Sequence, residues 1–147
     1  KGGNLLLNVG PMPDGRWQPG AYRLLDEYAA WMKVNAEAIY RTRPLAPYKE
    51  NGVCLTRLPD GTAFFIVLAG ESGAMPAQLT VTSHRPAPGA RVALLGAPGR
   101  LAWKPAGRGF TVAFPEKLRR RPPCRHAWAV RVSALEEVVS GAEEGKR

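Results

Sequence analysis

The run Gly2-Gly3-Asn4-Leu5-Leu6-Leu7-Asn8-Val9-Gly10-Pro11 decides how this chain is read. Leu5, Leu6, Leu7 and Val9 form a short, nearly continuous apolar stretch closed by Gly10-Pro11. A strand that is apolar on both faces belongs inside a sheet covered on both sides, usually a parallel one. One polar turn later a helical pattern begins, so residues 1–44 predict a strand, a loop and a helix, one unit of a βα-repeat architecture. Such a unit cannot bury itself, and nothing later in the chain repeats it. The chain is therefore expected to be the end of something larger, which a first residue of Lys also fits.

Outward from that run, Pro13-Asp14-Gly15 is turn chemistry: Pro13 fixes φ, Asp14 hydrogen-bonds its own backbone, and Gly15 accepts positive φ. Pro19 opens the helix, where a missing N–H costs little. Leu24, Leu25, Tyr28, Trp31 and Met32 make an apolar stripe, with Asp26, Glu27 and Lys33 facing away. Helical order is expected to fade near Asn35, with a short turn over Ala36–Tyr40 before Arg43-Pro44 stops it. Residues 45–52, rich in Pro, Lys, Glu and Asn, predict a linker. Seven short strands follow: Val53–Leu58, Thr62–Leu68, Gln78–Thr82, Arg91–Leu95, Leu101–Lys104, Phe110–Phe114 and Ala127–Val132. Their spacing and the turns between them predict an antiparallel β-sandwich over 53–133, with a charged tail, 134–147, that frays.

Composition narrows the function classes. A chain of 147 residues, 45% apolar, suits one domain plus a fragment of another and is too apolar for disorder. No apolar run approaches the ~18 residues of a membrane span, and no signal peptide opens the chain. Cys54 and Cys124 are too few for a zinc site or a disulfide framework; they suit small hydrophobes in strands, with a single disulfide as the alternative. The net charge of +9 rests on scattered Arg, and the only cluster, Arg119-Arg120-Arg121, lies between Leu118 and Pro123 without interleaved aromatics. That pattern predicts a solvated loop and no nucleic-acid partner. Neither compartment nor oligomeric state is written in the sequence.

Lys1-Gly-Gly-Asn-Leu-Leu-Leu-Asn-Val-Gly-Pro11, Pro13-Asp14-Gly15 and Trp31-Met-Lys-Val-Asn-Ala-Glu-Ala-Ile-Tyr40 together resemble the end of the catalytic domain of family 29 glycoside hydrolases, the α-L-fucosidases. Val92-Ala-Leu-Leu-Gly96, Leu101-Ala-Trp103, Phe110-Thr-Val-Ala-Phe-Pro115 and Pro123-Cys-Arg-His-Ala-Trp-Ala-Val-Arg-Val132 are similar to that family's C-terminal sandwich. The resemblance implies that residues 1–44 are the last strand–helix unit of a (β/α)8-type barrel and that the sandwich follows. It implies a retaining hydrolase of terminal α-L-fucose on glycans, acting without metal or cofactor. Two positions depart from the family: Ala36 and Arg41 stand where Gly is usual. If the helix end needs φ > 0 at Ala36, a strain of about 1 kcal/mol is expected.

Retaining glycosidases need a nucleophilic carboxylate and an acid/base carboxyl about 5–5.5 Å apart. The resemblance places both on earlier barrel strands, so no catalytic residue is expected in this chain and the chain alone is expected to be inactive. Asp14 is a turn-former, Asp26 and Glu27 sit on a solvated helix face, and Glu136-Glu137 and Glu143-Glu144 fall in the tail. His84 and His126 have no neighbouring acid in sequence and complete no Ser or Cys triad or metal site. The substrate-binding candidates are Asn8, at the strand's carboxyl end where barrel side chains enter the pocket, and Trp17 in the following loop. Trp31 and Tyr28 are expected between barrel and helices, and Trp103 and Trp128 in the sandwich core. The alternative function is a noncatalytic carbohydrate-binding or scaffolding sandwich.

Overall fold

The computed structural model of the chain describes residue 3 and residues 5–136. Helix α1 (Pro19–Asn35) starts with Pro in its first turn, and a 3₁₀ turn, Ala36–Ala38, follows it. Eight strands and a short helix come next: β1 (Arg43–Glu50), β2 (Val53–Arg57), β3 (Ala63–Leu68), β4 (Gln78–Val81), β5 (Val92–Leu94), β6 (Trp103–Ala106), β7 (Gly109–Ala113), α2 (Glu116–Arg120) and β8 (Ala127–Val132). All pairings are antiparallel, in a five-stranded sheet ordered β1-β2-β3-β8-β5 and a three-stranded sheet ordered β4-β7-β6.

The alternation in the sequence sets which side chains meet between the sheets. Leu55, Phe65, Trp128 and Val130 from the larger sheet pack with Leu79, Val81, Phe110 and Val112 from the smaller. Phe65 meets Phe110 edge-on at a centroid distance of 5.2 Å. Trp103, on the edge strand β6, is half-buried against Phe110. This is a β-sandwich.

β3 is apolar at every position because both of its faces are covered. Ala63, Phe65 and Val67 point into the sandwich, while Phe64 and Ile66 lie on the outer face with Ala127 and Ala129, beneath Ala38 and Trp31. The end of α1 thus forms a third layer on the five-stranded sheet. Polar contacts fix it there: Trp31 Nε1 donates to the Ala127 carbonyl at 2.9 Å, Thr56 Oγ1 donates to the Ala38 carbonyl at 2.8 Å, and Arg131 Nε meets Glu37 at 3.0 Å.

Several expectations are corrected. Leu5–Val9, expected as a strand, has no regular structure in this chain by itself, and Leu5 and Leu6 are 76% and 91% exposed. A ladder needs a neighbouring edge to satisfy its backbone groups, and among the described residues every strand pairs within the two sheets. The doubly covered strand is β3, and its sheet is antiparallel. Residues 45–52 are no linker but β1 and its turn into β2; the prolines Pro44 and Pro47 are tolerated because β1 is an edge strand with an irregular register. Leu24 and Tyr28 stay exposed, and Trp31 packs on the sandwich. Leu118–Pro123, expected as a loop, begins inside α2. Leu135 bridges to Pro86 and the Glu136 N–H donates to the Arg85 carbonyl, so 134–136 are held; residues 137–147 lie outside the described residues.

Ala36 is unstrained, at φ −54°. Arg41 carries a left-handed turn at φ 62°.

Candidate functional site

Asn8 lies exposed in the irregular segment before α1. Trp17 bridges to Pro11 and stacks at a tilt on Tyr22, 5.6 Å away, with 39% of its surface exposed. Neither side chain lines any of the clefts described next. Asp14 forms its turn: Oδ1 accepts the Arg16 N–H at 3.0 Å, and Oδ2 pairs with the Arg16 guanidinium at 2.8 Å.

Three arrangements escape sequence reasoning, because each joins residues distant in the chain. The first is an open cleft of about 480 Å³ between the 3₁₀ turn and the β2–β3 turn, lined by Glu37, Tyr40, Arg41 and Asp60. It holds two carboxylates, the minimum for a glycosidase. Both are engaged by other groups, however. Glu37 pairs with Arg131, and the Thr62 N–H, 2.8 Å from Asp60 Oδ1, holds that carboxyl below its usual range. A general acid needs the reverse, a carboxyl that keeps its proton.

The second is a small cavity of about 150 Å³ lined by Glu27, Trp31, Cys124 and His126. His126 Nε2 meets Glu27 at 3.0 Å, so this histidine does have an acidic partner. The thiol beside them is engaged elsewhere: Sγ donates to the Ala127 carbonyl at 3.2 Å and accepts from Asn35 Nδ2 at 3.3 Å. Burial pushes the Cys124 thiol up, only partly offset by Asn35, which is the opposite of an activated nucleophile. Cys54 and Cys124 are free and half-buried, Cys54 in β2 and Cys124 in the loop before β8.

The third joins the two sheets. Glu50, at the end of β1, accepts hydrogen bonds from the backbone N–H groups of Thr82 and Ser83 at 3.1 and 3.3 Å and from both hydroxyls. His84 Nδ1 lies 2.7 Å from Ser83 Oγ. A hydroxyl that gives its proton to Glu50 offers His84 only lone pairs, so His84 donates and is no base for Ser83. A catalytic triad needs the opposite order, with histidine between serine and acid. Burial raises the Glu50 carboxyl, but the Ser83 and Thr82 hydrogen bonds outweigh it and leave it below its ordinary value. This is a latch between β1 and the segment after β4. Among the described residues, no three His, Cys, Asp or Glu side chains gather to hold a metal ion, and no helix is long and apolar enough to cross a membrane.

The sequence profile described as Alpha-L-fucosidase matches residues 1–37. Beyond that segment, the Alpha-L-fucosidase of Branchiostoma floridae is 35% identical over 138 residues, covering 91% of this chain and 30% of that protein. The chain is thus similar in sequence to part of the α-L-fucosidases. Human Plasma alpha-L-fucosidase is 30% identical over 143 residues, which cover 94% of this chain and 30% of that protein. The fold agrees as well. Thermotoga maritima alpha-fucosidase superposes with a TM-score of 0.68 at 23% identity, over 86% of this chain and 30% of that one. Isoenzyme 1 of Paenibacillus thiaminolyticus gives 0.69 at 20% identity, over 91% and 31%. The chain thus spans about 30% of the length of the curated α-L-fucosidases it matches.

Proposed function

We propose that this chain is the C-terminal portion of a family 29 α-L-fucosidase, a retaining hydrolase that removes terminal α-L-fucose from glycans. In this reading residues 1–42 supply the last strand–helix unit of a (β/α)8-type barrel, and the sandwich begins at β1. The observation that carries the reading is the segment Leu5–Leu7, exposed at 76%, 91% and 49%, inside the stretch that matches the fucosidase profile. Three consecutive leucines in water are an unfilled packing demand, and neighbouring barrel strands would supply both the ladder and the cover. Asn8 and Trp17 would then stand at the carboxyl end of the last strand, where barrel enzymes bind substrate.

Catalysis belongs to carboxylates outside this chain, so the chain alone does not hydrolyse fucosides. Sequencing the codons preceding Lys1 tests the assignment: an in-frame barrel with two further carboxylates is expected, and a stop codon or an unrelated domain overturns it. The purified 147-residue chain should release no fucose from an aryl α-L-fucoside above background. Release would place the chemistry here instead. In the enzyme with its barrel, Asn8→Ala should lower kcat/KM by about tenfold, the loss of one good hydrogen bond, with an unchanged melting temperature. Quenching of the isolated chain's Trp fluorescence by fucosylated oligosaccharides would favour a carbohydrate-binding sandwich.

A further inference from the structure

The sandwich has a second cleft, unconnected with the arrangements above. It measures about 360 Å³ and opens between the segment that follows β5 and helix α2. Its floor is apolar, with Leu94 buried and Leu101 and Leu118 half-buried. Its rim carries Arg100, Lys117 and Arg121, all exposed, and among the described residues no carboxylate lines it. The acid of α2, Glu116, pairs with Arg120 on the same helix, and among the described residues no ion pair engages the three rim cations. The Arg119-Arg120-Arg121 cluster is therefore not uniform: Arg120 is neutralised within the helix, while Arg121 faces the cleft.

Small-ligand sites combine an apolar pocket of roughly 300–1,000 Å³ with a few placed polar groups. Here the polar groups share one sign. Three like charges held around a low-dielectric floor repel one another, and the repulsion is relieved by an anion whose apolar part displaces water from the leucines. The cleft contains no aromatic platform of the kind that stacks on a sugar ring.

We propose that this cleft binds a small anionic amphiphile, a medium-length alkyl chain ending in a carboxylate or similar anion. The alkyl part lies on Leu94, Leu101 and Leu118, and the anion meets Arg100, Lys117 and Arg121. Binding is non-covalent and does not depend on the fucosidase assignment.

Isothermal titration of the 147-residue chain with decanoate, kept below its micellar concentration, tests this directly. The expected result is saturable one-to-one binding that weakens as salt is raised, while acetate and 1-decanol each bind at least about tenfold more weakly. The double variant Arg100→Gln/Arg121→Gln, at two exposed positions, should keep the native circular dichroism spectrum and lose about tenfold in affinity. Equal binding of decanol would remove the role of the cations, and equal binding of acetate that of the leucines. Either result overturns the proposal, as does the absence of saturable decanoate binding or an unaltered affinity in the double variant.

Discussion

Truncating Asn35 to alanine is expected to loosen the joint between the helical layer and the sandwich. Asn35 is fully buried at the end of α1. Its Nδ2 donates to the Trp31 carbonyl at 3.1 Å and to Cys124 Sγ at 3.3 Å, and its Oδ1 accepts the Ala129 N–H at 3.3 Å. The third bond matters most. Ala129 shows its carbonyl to the β5 side, where the Leu95 N–H takes it, so its own N–H points the same way. The β5 ladder stops at Leu94↔Val130, and Asn35 completes the pairing one residue beyond it. Asn35→Ala leaves that buried N–H without a partner, at a cost of about 1–3 kcal/mol. The missing amide also opens a small void between Trp31 and Cys124, which adds roughly 1 kcal/mol. Urea unfolding followed by circular dichroism should show a loss of about 2–4 kcal/mol with an unchanged m-value. A loss below about 0.5 kcal/mol would refute the claim that Asn35 is the joint, since an unsatisfied buried donor cannot be that cheap.

Arg41→Gly should stabilise the chain by about 1 kcal/mol, read as a raised urea midpoint, because Arg41 holds φ 62° and glycine bears no Cβ penalty there. Gly109→Ala should destabilise by about 3 kcal/mol in the same assay, since a Cβ at Gly109 would lie 1.8 Å from the Val81 carbonyl oxygen and 2.7 Å from the Thr82 Cα, backbone that cannot swing aside. Acid should weaken the fold in two steps. Burial lowers His84, against an opposing effect of Glu50 and with help from Arg57, so the unfolded chain binds this proton more readily; stability falls below the ordinary histidine value, and His84→Asn should flatten that step. Glu50 is also held low, so its contribution is present above the ordinary carboxylate value and lost as pH falls through the depressed one; Glu50→Gln should flatten the loss below about pH 4.5 in thermal melts across pH.

The sandwich was legible because its strands alternate. Trp128, Val130 and Val132 against Arg131, or Leu79 and Val81 against Thr80, state a buried face without any tertiary information. β1 was hidden by its own composition: Pro44, Pro47 and Lys49 suit an edge strand but read equally as a linker, and only its pairing with β2 decides. The same rule named Leu5–Val9, which has no regular structure here, and β3, where it held. An apolar run states that both faces want cover, and it does not say which neighbour supplies it. At β3 the cover is α1, brought from far upstream in the chain by bonds such as that from Trp31 to Ala127. The site was less legible still, because Glu50 with Ser83, Glu27 with His126 and Glu37 with Asp60 are joined by topology and share no sequence spacing.

That topology also explains why the glycosidase chemistry proposed for the whole enzyme is not to be sought among these acids. Glu37 ties the 3₁₀ turn to β8 through Arg131, Glu27 ties α1 to the loop before β8 through His126, and Glu50 ties the two sheets together through Thr82 and Ser83. Each of these contacts works only while the carboxyl is ionised or accepting, and each holds one layer of the fold against another. A retaining glycosidase needs one carboxyl free to attack carbon and a second that keeps its proton until the leaving oxygen takes it. A latch cannot do either without letting go. Glu27, Glu37 and Glu50 are committed to assembling three layers, while the surface left apolar, Leu5 to Leu7, lies in the segment that matches the fucosidase profile. Acids given over to architecture and an apolar segment left uncovered are together what the proposed supporting role in a larger enzyme rests on.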